Sequence, residues 1–235
     1  MLLCIESATH ICSVALTDNG NIVAFREINE GFRHAEKLTV FISEVLDEAG
    51  INVKDLNAVA VSSGPGSYTG LRIGVSVAKG LCLSTDIPLI SISTLMAMAW
   101  GALKQINSTD KNILFSPMID ARRMEVYCSL YDTGLNPVHE TSASIVAYDF
   151  LSNIRKGKSI YFFGDGADKC RTILDSVSEF KYLPEVFPSA KFMATLAFEK
   201  FSKKDFENLA LFEPFYLKEF QAGKKIASSS EMGNL

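Results

Sequence analysis

Residues Ile5-Glu6-Ser7-Ala8-Thr9-His10-Ile11-Cys12-Ser13-Val14-Ala15-Leu16-Thr17-Asp18-Asn19-Gly20 decide the architecture, because their pattern is met twice. In the second copy Ile119-Asp120-Ala121-Arg122 leads to Tyr127-Cys128-Ser129-Leu130-Tyr131-Asp132-Thr133-Gly134. Ile5, Leu16, Asp18 and Gly20 recur as Ile119, Leu130, Asp132 and Gly134 at one constant spacing, and the acidic Glu6 recurs as Asp120. Each copy reads as a strand ending in a carboxylate, a turn, a second strand, and an Asp/Gly hairpin into a third.

The copies continue alike. Residues 35–49 place Leu38, Phe41, Ile42, Val45, Leu46 and Ala49 on one helical face, and Gly50 suits a C-terminal cap. A strand at 57–62 and the turn Gly64-Pro65-Gly66 follow. In the second copy Tyr148 to Ile154 is expected to be a short helix and Ser159 to Phe163 a strand, and Gly164-Asp165-Gly166 repeats the turn before another helix. Two such halves describe an α/β protein of tandem duplicated actin-like, sugar-kinase-like ATPase (RNase H-like) subdomains, each a mixed five-stranded sheet with helices. The expected boundaries are 1–106, 107–218 with a last helix near 189–203 that can pack back on the first half, and a flexible tail at 219–235. Fold alone does not fix function.

Composition narrows the function classes. A net charge of −4 over 235 residues gives no basic footprint for binding nucleic acid unaided. The strand-like Leu2-Leu3-Cys4-Ile5 has no basic leader, so no signal peptide is expected, and no long apolar run suits a membrane span. The scattered Cys4, Cys12, Cys82, Cys128 and Cys170 read as reduced core residues of a cytoplasmic protein.

The stretch Ser62-Ser63-Gly64-Pro65-Gly66-Ser67-Tyr68-Thr69-Gly70-Leu71-Arg72-Ile73-Gly74 admits two uses. A strand, a glycine-rich turn and a helix N-terminus can present backbone N–H groups to an anion. It is not a P-loop, since no GxxxxGK[ST] runs through it. Alternatively Gly70, Gly74 and Ala78 form a small-residue strip bordered by Ile73, Val77 and Leu81, against which a second helix can pack closely. Close packing is the favoured reading, and Gly74→Leu is then expected to block association while leaving the monomer folded.

Gly64 to Gly74, Arg33-His34-Ala35-Glu36-Lys37-Leu38 and Asp120-Ala121-Arg122 with Glu125-Val126-Tyr127 resemble the hallmarks of the TsaB (YeaZ) family. The likeness is strong over residues 1 to about 135. It implies a non-catalytic dimerisation subunit of the machinery that installs threonylcarbamoyl on adenosine next to the tRNA anticodon. The implied partners are a second copy, the catalytic relative TsaD through the same helices, and the ATPase TsaE, with tRNA met only through the complex. No membrane partner and no cofactor are implied. The alternative is an independent ATP-dependent small-molecule kinase or ATPase of the same fold.

The resemblance implies a four-helix interface built from His34, Leu38, Phe41, Ile42 and Val45 of one helix. The second helix would supply Tyr68, Gly70, Leu71, Ile73, Gly74, Val77, Ala78 and Leu81. Glu6 stands where the family usually has Asp, and Glu6 with Asp120 forms a weak candidate for a cation-binding pair. Arg122 and Arg123 are placed to offset Asp120 and to face a phosphate or a partner's carboxylate. Thr94 and Met98 occupy the places of the catalytic relative's two metal-binding histidines, and His10, His34 and His139 lack ligand spacing, so no metal is expected. Ser76-Val77-Ala78-Lys79 matches S-x-x-K without the SDN or KTG of a serine hydrolase.

Overall fold

The computed structural model of the chain describes residues 1–31 and 33–218; the tail at 219–235 lies outside them. The first half builds β1 (Leu2–Glu6), β2 (Cys12–Asp18), β3 (Asn21–Ile28), α1 (His34–Ala49), β4 (Ala58–Gly64), α2 (Tyr68–Thr85) and β5 (Leu89–Ser93), and α3 (Thr94–Ile106) follows. The second half builds β6 (Ile113–Asp120), β7 (Glu125–Tyr131), β8 (Pro137–Ile145), β9 (Ser159–Phe163), the one-turn α4 (Arg171–Leu174), β10 (Phe180–Tyr182) and α5 (Ala194–Ser202).

The duplication is visible in the pairing. The first sheet runs β3-β2-β1-β4-β5, and the second, read from β8, runs β8-β7-β6-β9-β10, the same order. In each, the first strand is antiparallel to the second and parallel to the fourth. This is the strand order of the actin-like, sugar-kinase-like fold. The paired glycines are equivalent too. Gly64 and Gly164 both sit at φ +103, a backbone only glycine adopts freely.

Alternation along β1 sorts the first core. Leu3 and Ile5 face α1 and α2, while Leu2 and Cys4 face Ala97 of α3 and the segment Ala190 to Ala197. Helix α3 reaches both lobes, because Leu95, Met98, Ala99 and Ala102 pack on Phe115, Ile119 and Phe163 of the second sheet. Helix α5 packs on β1, β3 and β5 of the first lobe. All five cysteines are free and buried.

Residues 148–154 form successive turns rather than the expected helix. Leu151 has φ +55, and Arg155 Nη1 donates to the carbonyls of Tyr148 and Phe150 at 2.8 and 3.1 Å, holding a non-helical path. A seven-residue helix recovers little of its nucleation cost from its own hydrogen bonds. The helix after Gly166 shrinks to a 3₁₀ turn and the four-residue α4.

Candidate functional site

The glycine-rich turn is engaged inside its own chain. A Cβ on Gly66 would overlap the Ala8 carbonyl, one on Gly70 the Ser7 carbonyl, and one on Gly74 the Ser7 hydroxyl. Ser67 N donates to Ala8 O at 2.6 Å and Ser7 Oγ to Gly70 O at 2.9 Å. Ser67 caps α2 by accepting from Gly70 N. The Gly70 and Gly74 part of the strip thus receives Ser7 at the start of the β1–β2 turn (residues 7–11), not another helix. This corrects the expected role of Gly70 and Gly74, Ala78 is buried in the first core, and Gly74→Leu no longer qualifies as a surface variant. A stripe of small residues reports close approach, and its spacing carries no information about what approaches.

Of the other residues expected at an interface, His34, Leu38, Val45 and Leu71 are fully or almost fully buried within the monomer, and Phe41 and Ile42 are nearly so. Tyr68, Ile73, Val77 and Leu81 keep partial exposure, beside the exposed Thr69, Arg72, Ser76 and Gly80. The outer surface of the α1–α2 layer is therefore the flank of α2 together with Val40 of α1, which is 44% exposed.

His34 anchors the start of α1 from within: its Nε2 donates to the Ile11 carbonyl at 3.1 Å, and burial lowers its pKa. The first turns of α1 and α2 thus grip the same β1–β2 turn. The tip of that turn reaches the second lobe, where His10 Nδ1 lies 3.7 Å from Asp165 Oδ2, and that carboxylate raises the His10 pKa. His139 is remote from both, its Nδ1 against the Glu140 carbonyl at 2.8 Å.

The two acidic strand ends have different surroundings. Glu6 is fully buried; Oε1 accepts from Ala8 N at 2.6 Å, whereas Oε2 has no hydrogen-bond partner. Burial pushes its pKa up to about 7. Asp120 is exposed and bonded to Lys169, while its Oδ1 accepts from Arg122 N at 2.9 Å. Lys169, which the sequence did not single out, also donates to the carbonyls of Arg123 and Glu125 at 2.9 and 2.6 Å. Arg122 and Arg123 do not neutralise Asp120 through their side chains, because Lys169 occupies that place. Among the described residues no group of three or more His, Cys, Asp or Glu side chains is arranged to hold a metal ion. None of the described helices is long and apolar enough to cross a membrane.

A further element was not legible in sequence: residues 207–218 strap the flank of α2. Glu207 N donates to Leu89 O at 2.9 Å, Lys79 Nζ to Phe212 O at 3.0 Å, and Phe215 N to Ser63 O at 2.7 Å. The Tyr216 ring lies 4.9 Å from that of Tyr68, and the Arg72 guanidinium sits 4.0 Å over the latter. Lys218 then pairs with Glu125 of the second lobe.

Comparison with known proteins fits this arrangement. The model of the family described as TsaD, tRNA N6-adenosine threonylcarbamoyltransferase, matches residues 31–229. The tRNA threonylcarbamoyladenosine biosynthesis protein TsaB of Buchnera aphidicola (subspecies Schizaphis graminum) is 32% identical over 207 residues, covering 86% of this chain and 95% of that protein. The chain belongs to the TsaB family. The TsaB of Escherichia coli K12 is 39% identical over 137 residues, a match covering 58% of this chain and 57% of that protein. With respect to this last relative, the matched part of the chain spans a little over half its length. Among solved structures, YeaZ from Pseudomonas aeruginosa superposes with a TM-score of 0.75 at 24% identity, covering 92% of this chain and 99% of that one. The likeness to this TsaB-family structure is one of fold.

Proposed function

We propose that the chain is a non-catalytic subunit of the machinery that makes threonylcarbamoyladenosine next to the tRNA anticodon. It pairs with and activates the catalytic subunit TsaD, with the ATPase TsaE as a third component, and forms a homodimer in TsaD's absence. The observation that carries this reading is the use of the glycine-rich turn. Its closest backbone approaches, at Gly66 and Gly70, are filled by Ala8 and Ser7, so the segment that would cradle a phosphate cradles the chain itself. That leaves α2 as a rigid helix whose inner side is fixed, whose Tyr68 is covered by Tyr216, and whose half-buried Ile73, Val77 and Leu81 form the flank proposed to meet a partner.

The pairing would use that flank and the facing side of α1. A homodimer built on it is isologous, and TsaD competes for the same patch. Calorimetric titration with ATP and Mg²⁺, alone and with TsaD, tests the proposal. Association with TsaD and no turnover by the isolated chain is the expected result. ATP binding and hydrolysis by the chain alone would overturn the proposal in favour of an independent ATPase.

A further inference from the structure

The β6–β7 turn carries two features that the reading above leaves unused. Arg122 and Arg123 both lie in the left-handed backbone region, at φ 68 and 54, which arginine seldom adopts. The turn is nonetheless held firmly: Asp120 Oδ1 accepts from Arg122 N, Glu125 N donates to Arg122 O at 3.2 Å, and Lys169 Nζ reaches the Arg123 and Glu125 carbonyls. Backbone held in a sparsely populated region needs surroundings that over-determine it, and here they display two cations on a fixed tip.

Those cations have no acidic partner among the described residues. The nearby carboxylates are already matched, Asp120 with Lys169, Glu125 with Lys218 and Asp165 with His10. Beside the tip stand Met124 and Ile145, exposed by 48 and 66%. Ile145 is placed there by pairing with Glu125 across β7 and β8. Arginine and methionine around an exposed aliphatic side chain are the composition of a protein interface. A polyanion such as RNA would meet a chain of net charge −4 with only two unmatched guanidiniums to receive it.

We infer that the Arg122–Arg123 tip, with Met124 and Ile145, is a second docking surface that receives an acidic segment of a partner protein, separate from the α1–α2 face. The segment would carry carboxylates for the two guanidiniums around an apolar side chain. The choice of probe rests on the function proposed above: purified TsaD and TsaE, titrated singly and together.

Two variants test it. Arg122→Glu with Arg123→Glu reverses the charge. Arg122→Asn with Arg123→Gly removes it while installing residues that left-handed backbone favours. Both should leave the chain's own oligomeric state unchanged. Both should also weaken binding of at least one of the two proteins by roughly 10-fold or more, a loss that shrinks as salt is raised. The Asn/Gly variant should melt no lower than the parent, which separates lost docking from lost folding. Unchanged binding of both proteins by these variants would overturn the inference, as would a loss confined to tRNA retention by the complex. If the unaltered chain bound neither protein, the proposed function would fall, and this inference with it.

Discussion

The Ser7 hydroxyl donates to the Gly70 carbonyl over 2.9 Å, so the end of the first strand and the first turn of α2 are joined without any side chain on the helix between them. A Cβ on Gly74, one turn further on, would overlap the same hydroxyl. Gly74→Leu should therefore cost about 3 kcal/mol through overpacking against Ser7. Gly80 is the control, with nothing within 4 Å of an added Cβ on the exposed side of α2. Gly80→Ala should stabilise the chain by about 0.5–1 kcal/mol. Urea unfolding of both variants checks the contrast; equal stabilities would contradict it.

The stability of the chain should depend on pH through Glu6. Its folded pKa is raised to about 7 by burial, so the folded state holds this proton more tightly than the unfolded state. Stability is then present in acid and is lost as pH rises from the unfolded pKa, about 4.5, to about 7, by about 3 kcal/mol. Glu6→Gln keeps an acceptor for Ala8 N and abolishes that loss. Melting curves at pH 5 and pH 8 should show the variant gaining on the parent as pH rises, and a constant difference would refute the assignment.

His10 adds to this trend and His34 opposes it. The His10 pKa is raised by Asp165, so its contribution is full below the unfolded histidine pKa and is lost as pH climbs through the folded value. The partial exposure of both side chains keeps it to about 0.5 kcal/mol. His34 is lowered by burial and favours folding only above that range. His10→Ala should thus cost stability at pH 6 and nothing at pH 8, measured by the same melts.

If α1 and α2 form the partner face, Val77→Glu should block pairing at little cost to the monomer, because Val77 is only partly buried. Light scattering should show a monomer, and calorimetry at least a roughly 10-fold weaker grip on TsaD. Leu71→Glu should instead unfold the chain, since Leu71 is fully buried.

Thr94 Oγ1 and Ser116 Oγ are buried without hydrogen-bond partners. Thr94→Val and Ser116→Ala remove these unmet groups and should each stabilise the chain by about 1 kcal/mol, read from denaturant midpoints.

The duplicated halves were legible because Ile5-Glu6 and Ile119-Asp120 end strands in matching places, and strand alternation and Asp/Gly turns are local signals. Helix α1 was legible because one apolar face persists for four turns and ends at Gly50, left-handed at φ 65. The direction of the glycine strip was hidden, since residues four apart align on a helix whether a strand of the same chain or a foreign helix comes near. The pairing of Asp120 with Lys169, and that of His10 with Asp165, join residues far apart in sequence that no spacing rule connects. The strap at 207–218 was hidden for the same reason.

The chain leaves the first lobe at α3, builds the second, and comes back: α5 covers β1 and β5, and the strap runs along α2 before Lys218 meets Glu125. A fragment ending at residue 106 would lose Ala190, Met193, Leu196 and Ala197 from one face of its own sheet. The sequence boundary at 106 therefore separates two copies of a motif but not two folding units. One face of the first sheet is closed only by residues that follow the second copy, which couples the two lobes in stability.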